Sequence, residues 1–305
     1  MQEVMYLLEK SFDSMGGRIK PVPVEILSKV RDEWAKCLKQ LENTDMYNEL
    51  LKDCFNFSLP EEIKSLILIA LPSPPCYVEA EWDSIKIEAD IPPVYVHRDK
   101  QLSMIKDMVS NVFEQYQLKS YPVVLPKKKL AAMCGFGKYG RNNLLYIEGM
   151  GSCHRLTVFG SDMICTEDIE MTANLIMDRC GKCGSCIKQC PTGAIGRNSN
   201  KTDADKCLTF YNERNGEMPQ WLHDDWHNCL VGCVRCQERC PENRGLWNRK
   251  KAGSLSAEET QKIIDNTPFE LLDKDLRDKL KELCLDRYYN VLARNLMLYL
   301  KMKIR

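Results

Sequence analysis

The sequence predicts an α+β protein in three parts: a mixed α/β domain (1–168), a cysteine-rich segment organised around metal (169–250) and a short helical cap (251–305). Three observations carry this reading. Short aliphatic runs alternate with helical spacing in the first half. Nine of the sixteen cysteines fall between Cys180 and Cys240, and amphipathic helical spacing returns after Ser254. The 305 residues themselves call for two or three domains at about 150 residues each. With 44% hydrophobic and 28% charged residues, the chain is globular rather than disordered.

The elements follow in order. Residues 1–60 read as helices, and Ile26, Leu27, Val30, Trp34, Cys37, Leu38 and Leu41 recur near one stripe, so 24–41 is expected to face a core. SLILIALP (65–72), closed by Pro72, reads as a buried strand, and VYVH (94–97) and PVVLP (122–126) read alike. Between these last two, Met104, Ile105, Met108, Val109, Val112 and Phe113 give 100–117 a helical period. LLYIEGMGS (144–152) and LTVFGS (156–161) add two expected strands. Farther on, Ser256 and Glu259 stand at capping-box spacing, and 280–300 is amphipathic with basic residues toward its end. The basic tail, Lys301 to Arg305, reads as a solvated helix end.

Composition narrows the function classes. The longest aliphatic run, 66–71, is six residues where a spanning helix needs about 20, so no membrane partner is expected. MQEVMYLLEK carries Glu3 and Glu9 and has no basic start before a long apolar core, which argues against a secretory leader and for the cytoplasm. Forty-three basic and 43 acidic side chains cancel, so net charge gives no reason to expect a nucleic-acid backbone as partner.

In a reducing compartment cysteine thiols remain available as ligands. Cys180-Gly-Lys-Cys183-Gly-Ser-Cys186-Ile-Lys-Gln-Cys190-Pro191 has the bacterial ferredoxin spacing, in which three cysteines hold one 4Fe-4S cubane and the fourth reaches another. A second run, Cys229-Leu-Val-Gly-Cys233-Val-Arg-Cys236-Gln-Glu-Arg-Cys240-Pro241, repeats the tail of the first. Pseudo-symmetry assigns Cys180, Cys183, Cys186 and Cys240 to one cluster and Cys190, Cys233 and Cys236 to the other, with Cys207 and Cys229 competing for its last corner. Tetrahedral zinc is the alternative, but CxxC steps that share a cysteine and end twice in Cys-Pro fit it poorly. The scattered Cys37, Cys54, Cys76, Cys165 and Cys284 read as small buried hydrophobes. Clusters of this kind carry single electrons at low potential, so the α/β domain ahead of them is expected to hold their acceptor.

Gly135-Phe-Gly137-Lys138-Tyr-Gly140 satisfies the dinucleotide pattern GxGxxG. A dinucleotide fingerprint follows a strand and opens a helix, whereas here KKKLAAMC reads as a helix and NNLLYIEG as a strand. The reversed order argues against NAD and leaves a structural turn or another kind of backbone site.

The stretch from Lys128 to Tyr146, the later Gly151-Ser152 and the two cysteine runs together resemble the epoxyqueuosine reductase family, which carries a similar A-G-L-G-x-x-G-K-[HN]-x-L loop ahead of two ferredoxin-like runs. The resemblance implies a nitroreductase-like N-terminal domain that holds cobalamin, fed with electrons by a ferredoxin-like domain with two 4Fe-4S clusters; reductive dehalogenases are related. It implies Cys207 as the remaining cluster ligand, leaving Cys229 spare. It also implies that Gly135, Gly137, Lys138 and Gly140 let backbone approach the corrinoid, and that Arg141, Asn142 and Ser152 bond its amides or phosphate.

Departures from the family pattern shape the expected substrate. The family's catalytic aspartate aligns with Tyr121, a phenol able to donate the proton instead. Lys138 stands where the family has an aromatic residue, and the family's tRNA-binding helical repeats are cut to 251–305. Both argue against tRNA and for a small-molecule substrate. The expected function is therefore an iron-sulfur reductase that passes electrons from a donor such as ferredoxin or flavodoxin, through two clusters, to cobalamin. The alternative is an electron-transfer or activating protein that serves a partner's corrinoid protein. His97 and His154 read as surface or core residues.

Overall fold

The computed structural model describes residues 1–38, 58–197 and 202–304. In chain order its elements begin α1 (Gln2–Asp13), β1 (Arg18–Pro23), α2 (Ile26–Leu38), β2 (Ser65–Pro72), β3 (Cys76–Trp82), β4 (Ile85–Ile91) and α3 (Arg98–Gln115). There follow β5 (Ser120–Pro122), α4 (Lys127–Met133), β6 (Lys138–Tyr139), β7 (Leu145–Tyr146), β8 (His154–Ser161), α5 (Ser185–Gln189) and α6 (Leu208–Glu213). The last are α7 (Arg235–Glu238), β9 (Lys250–Leu255), α8 (Ala257–Ile264), α9 (Lys274–Glu282) and α10 (Tyr289–Ile304). The chain forms two compact units, Met1–Pro72 with Leu102–Gly181, and Ser73–Gln101 with Lys182–Arg305.

The first unit is built on an antiparallel sheet in the order β1-β2-β8-β5. Strand β2 is aliphatic throughout because both its faces are covered. Leu66, Leu68 and Ala70 pack with Val30 of α2 and Leu130 of α4. Ile67, Ile69 and Leu71 pack with Leu8 and Phe12 of α1 and Ile105 and Phe113 of α3. Each such fully buried Val, Leu, Ile or Phe side chain contributes roughly 1.5–3 kcal/mol. The expectation of helices throughout 1–60 is corrected by β1, whose Pro21 and Pro23 are tolerated because the strand lies at the sheet edge. The expected strand at 122–126 ends at Pro122, and the one at 144–152 is reduced to Leu145–Tyr146. The end of the helix expected to reach Leu41, and Cys54, lie outside the described residues.

The second unit holds a sheet ordered β4-β3-β9, with β9 running parallel to β3. The β3–β4 hairpin turns through Asp83 and Ser84, both at positive φ. VYVH forms turns rather than a strand, since Val94 (φ 74°) and His97 (φ 54°) take left-handed conformations. The expected capping box forms: Glu259 N donates to Ser256 Oγ at 3.2 Å and Ser256 N to Glu259 Oε2 at 2.8 Å. The partition differs from the division at 168/169 and 250/251. Val78, Ala80 and Ile91 of the hairpin share one core with Leu276, Leu280, Leu292 and Leu296, so the C-terminal helices are integral to this unit rather than a cap. Tyr299 adds a buried hydroxyl donation to Glu88 O at 2.6 Å. Among the described residues no helix is long and apolar enough to cross a membrane.

Candidate metal centre and glycine loop

The two cysteine runs fold as repeats. Cys183 precedes α5, which carries Cys186, and Cys190 follows it; Cys233 precedes α7, which carries Cys236, and Cys240 ends that run. Ser185 Oγ donates to Arg239 O at 2.7 Å and ties the runs together. Cys207 is the N-cap residue of α6. A local device recurs at three of these cysteines, where the peptide N–H two residues onward is directed at the sulfur. Ser185 N lies 3.5 Å from Cys183 Sγ, Thr209 N donates to Cys207, and Arg235 N donates to Cys233. Asn228 Nδ2 adds a 3.2 Å bond to Cys233 Sγ. Such donors stabilise a thiolate and tune a cluster bound to it.

Burial pushes the Cys207 thiol up, and the neighbouring Cys190 sulfur adds to the effect. Burial likewise pushes Cys233 up to about 11, with Cys207 and Cys190 contributing. Cys190, Cys207 and Cys233 thus share one neighbourhood, whose mutual repulsion as thiolates a cationic cluster core would offset. Cys229 is fully buried, and its thiol donates to Asn228 Oδ1 at 3.2 Å. Among the described residues the cysteines form no disulfide, and no three His, Cys, Asp or Glu side chains converge on a point that would hold a single metal ion. Cys180 lies in the first unit, in the turn Asp178–Gly181, where its carbonyl accepts from Arg141 Nε at 3.3 Å and Nη2 at 3.0 Å. Of the scattered cysteines, Cys165 and Cys284 are buried as expected, whereas Cys76 is half-buried and donates to Pro74 O at 3.6 Å.

The glycine loop joins α4 to the β6–β7 hairpin, so a helix precedes it and a strand follows. Gly135 (φ 67°) ends α4 in the left-handed conformation, and a Cβ there would meet nothing within 4 Å. At Gly137 a Cβ would fall 2.7 Å from Tyr146 O, and at Gly140 2.5 Å from Tyr146 Cε2. Asn142 Nδ2 donates to the Tyr146 hydroxyl at 2.9 Å. Gly137, Gly140, Arg141 and Asn142 therefore help fold the hairpin and fix Cys180. Ser152 is buried. Lys138, half-exposed, lies 3.9 Å from Asp178. The donor set fits a corrinoid chiefly at Gly135, where bare backbone faces open space. Tyr121 lies on β5 opposite Gly160 and packs partly against the core that also holds Leu130.

His154 is buried beside Ser152 and donates Nδ1–H to Gly151 O at 3.0 Å. Burial pushes its pKa down to about 4, so it is neutral at neutral pH. In the unfolded chain it protonates near 6.5, so its contribution is full above that value and is lost as pH falls from about 6.5 toward 4, an effect of about 3 kcal/mol. Urea midpoints of wild type and His154→Gln should converge over that interval, and parallel curves would show that His154 does not couple to folding.

Asn228 and Thr209 escape motif reading because nothing in their spacing marks them; the one available signal is that each lies within five residues of a cysteine in the run or just before it.

Residues 179–243 match the family described as a 4Fe-4S double cluster binding domain. Epoxyqueuosine reductase of Staphylococcus aureus is 30% identical over 149 residues, 48% of this chain and 38% of that protein. The chain matches less than half the length of this relative and of the epoxyqueuosine reductases of Francisella cf. novicida and Bacillus subtilis. The structure of epoxyqueuosine reductase from Streptococcus thermophilus shares the fold with a TM-score of 0.73, over 99% of this chain and 82% of that one at 18% identity. An epoxyqueuosine reductase solved with an epoxyqueuosine-modified tRNA-Tyr stem loop shares it with a TM-score of 0.69 at 17% identity, over 99% of this chain and 82% of that one. This corrects the expectation that set tRNA aside in favour of a small molecule. That expectation rested on Lys138 and on the shortness of 251–305, yet the fold of a tRNA-bound reductase is followed over nearly the whole chain. The chain is similar to epoxyqueuosine reductases and carries a double 4Fe-4S cluster domain.

Proposed function

We propose that this chain is an iron-sulfur reductase that removes the epoxide oxygen of epoxyqueuosine in tRNA. The reading rests on one conjunction: a double-cluster domain at 179–243 within a chain that follows the epoxyqueuosine reductase fold over 99% of its length. Conversion of an epoxide to an alkene takes two electrons and two protons and releases water, so one-electron carriers and a proton donor are the parts required. In this reading Cys180, Cys183, Cys186 and Cys240 hold one cluster, and Cys190, Cys207, Cys233 and Cys236 the other.

The first unit, in its nitroreductase-like reading, is where cobalamin would bind, supplying a cobalt centre that can be reduced to a strong nucleophile. Gly135 offers it bare backbone, and Arg141 holds the Cys180 carbonyl in place. Tyr121 supplies a proton to the departing oxygen. Tyr121→Phe should lower turnover by about 10²–10⁴-fold with iron and cobalt content unchanged. Unchanged turnover would leave the phenol a packing residue.

The test of the whole reading is direct. Anaerobically purified protein, cobalamin and a chemical reductant are incubated with tRNA from cells that accumulate epoxyqueuosine, and the digested nucleosides are analysed. Queuosine should appear at the expense of epoxyqueuosine. An unchanged profile with fully loaded protein would reject the assignment.

A further inference from the structure

The second unit contains a buried polar relay that touches neither a cysteine sulfur nor any expected substrate contact. Asn295 on α10 is fully buried, and its Nδ2 donates to Asn212 O at 2.8 Å and to Leu230 O at 3.0 Å. Asn212, also fully buried, donates its own Nδ2 to Gly232 O at 2.7 Å. Asn212 belongs to α6, which starts at Cys207, and Gly232 immediately precedes Cys233. Arg294 completes the arrangement. Its Nη2 donates to Tyr211 O at 2.8 Å, its Nη1 to Arg214 O at 3.1 Å and to Gly216 O, and its Nε to Asn295 Oδ1 at 3.1 Å. The guanidinium therefore binds the last turn of α6 and the segment just after it while it orients the Asn295 amide.

We infer that Asn295, oriented by Arg294, is a positioning residue for the second cluster, locking the segments that carry Cys207 and Cys233 at a fixed separation. The inference rests on the two-cluster reading above. A cubane is held by cysteines from separate segments, and groups outside the ligand set that orient those segments strengthen its binding. A side-chain amide that bridges two backbone carbonyls from two segments does this more directly than apolar packing, because each bond has a fixed length and direction. Asn295 is suited to the task, since its single NH₂ group has two protons and both are used.

The test compares three anaerobically reconstituted full-length proteins. Asn295→Asp keeps the side-chain shape and removes both donors. Tyr299→Phe, one turn farther along α10, removes an equally buried bond, but to Glu88 of β4 rather than to a ligand segment. Wild type should hold about eight iron per chain. Asn295→Asp should fall to about four, with one of the two reduced-cluster electron paramagnetic resonance (EPR) signals lost, or should release four iron to a chelator about 10–100-fold faster. Tyr299→Phe should keep both signals. If Asn295→Asp does not fold, Arg294→Lys, which retains the charge but not the fork, should perturb the same signal and leave the other unchanged. Wild-type iron content, signals and release rate in Asn295→Asp would overturn the inference, as would equal loss in Tyr299→Phe. Wild type with fewer than about eight iron would instead refute the two-cluster reading, and this inference with it.

Discussion

Cys233→Ser should halve the iron of the anaerobically purified chain, from about eight to about four per chain, and bring turnover to background. Cys233 shares its neighbourhood with Cys190 and Cys207, and it accepts hydrogen bonds from Asn228 and Arg235 that serve a sulfur anion. A serine hydroxyl is a poor ligand for iron in a thiolate set and leaves that corner of the cubane open. Cys207→Ser should behave in the same way. Cys229→Ser should keep all eight iron, because the Cys229 thiol spends its proton on Asn228 Oδ1. Iron analysis with EPR of the reduced proteins checks the three together, and loss of a cluster in Cys229→Ser but not in Cys207→Ser would reverse the ligand assignment.

Gly137→Ala should destabilise the first unit by about 1–3 kcal/mol, as overpacking a tight site does, and lower its melting temperature by several degrees. The new methyl would sit 2.7 Å from Tyr146 O, 3.1 Å from Ile147 Cγ1 and 3.2 Å from Leu145 Cγ. The closest of these is backbone, so relief requires the hairpin to part rather than a side chain to rotate. Gly135→Ala meets nothing, and its effect comes from the left-handed backbone alone, about 1–2 kcal/mol. Cobalamin titration followed by absorbance separates them: Gly137→Ala is a packing defect that should loosen the β6–β7 pair, whereas Gly135→Ala should weaken corrinoid binding directly. Equal melting temperatures for Gly137→Ala and wild type would contradict the packing account.

The parts of the molecule readable in the sequence are those specified locally. Cluster cysteines are fixed by covalent spacing, so the two runs stand out without knowledge of the fold. The capping box at Ser256 and Glu259 and the doubly buried β2 are likewise local patterns. The β3–β4 hairpin carries the alternation of a half-buried strand pair, with Val78, Ala80, Ile87, Ala89 and Ile91 on one face and Glu79, Glu81, Lys86, Glu88 and Asp90 on the other, and what hid it is its turn, which uses Asp83 and Ser84 where glycine or asparagine would have marked it. Strand β9, KKAGSL, carries no alternation at all and is defined by the β3 edge it joins. VYVH has strand composition, yet two of its residues adopt positive φ, a choice made by tertiary context. The glycine loop was readable as a site for close approach, but not which approach: two of its three glycines admit Tyr146, from ten residues or fewer along the same chain, and one stays open. The Asn295 relay joins positions 65 and 83 residues apart, a separation at which sequence spacing carries no signal.

The central claim is that the thiolates of 180–240 hold two iron-sulfur cubanes. X-ray absorption of the anaerobically purified full chain at the iron and zinc edges tests it most directly. The account predicts about eight iron per chain in sulfur coordination with iron neighbours. Zinc bound by four sulfurs at about 2.3 Å, with iron absent, would contradict it.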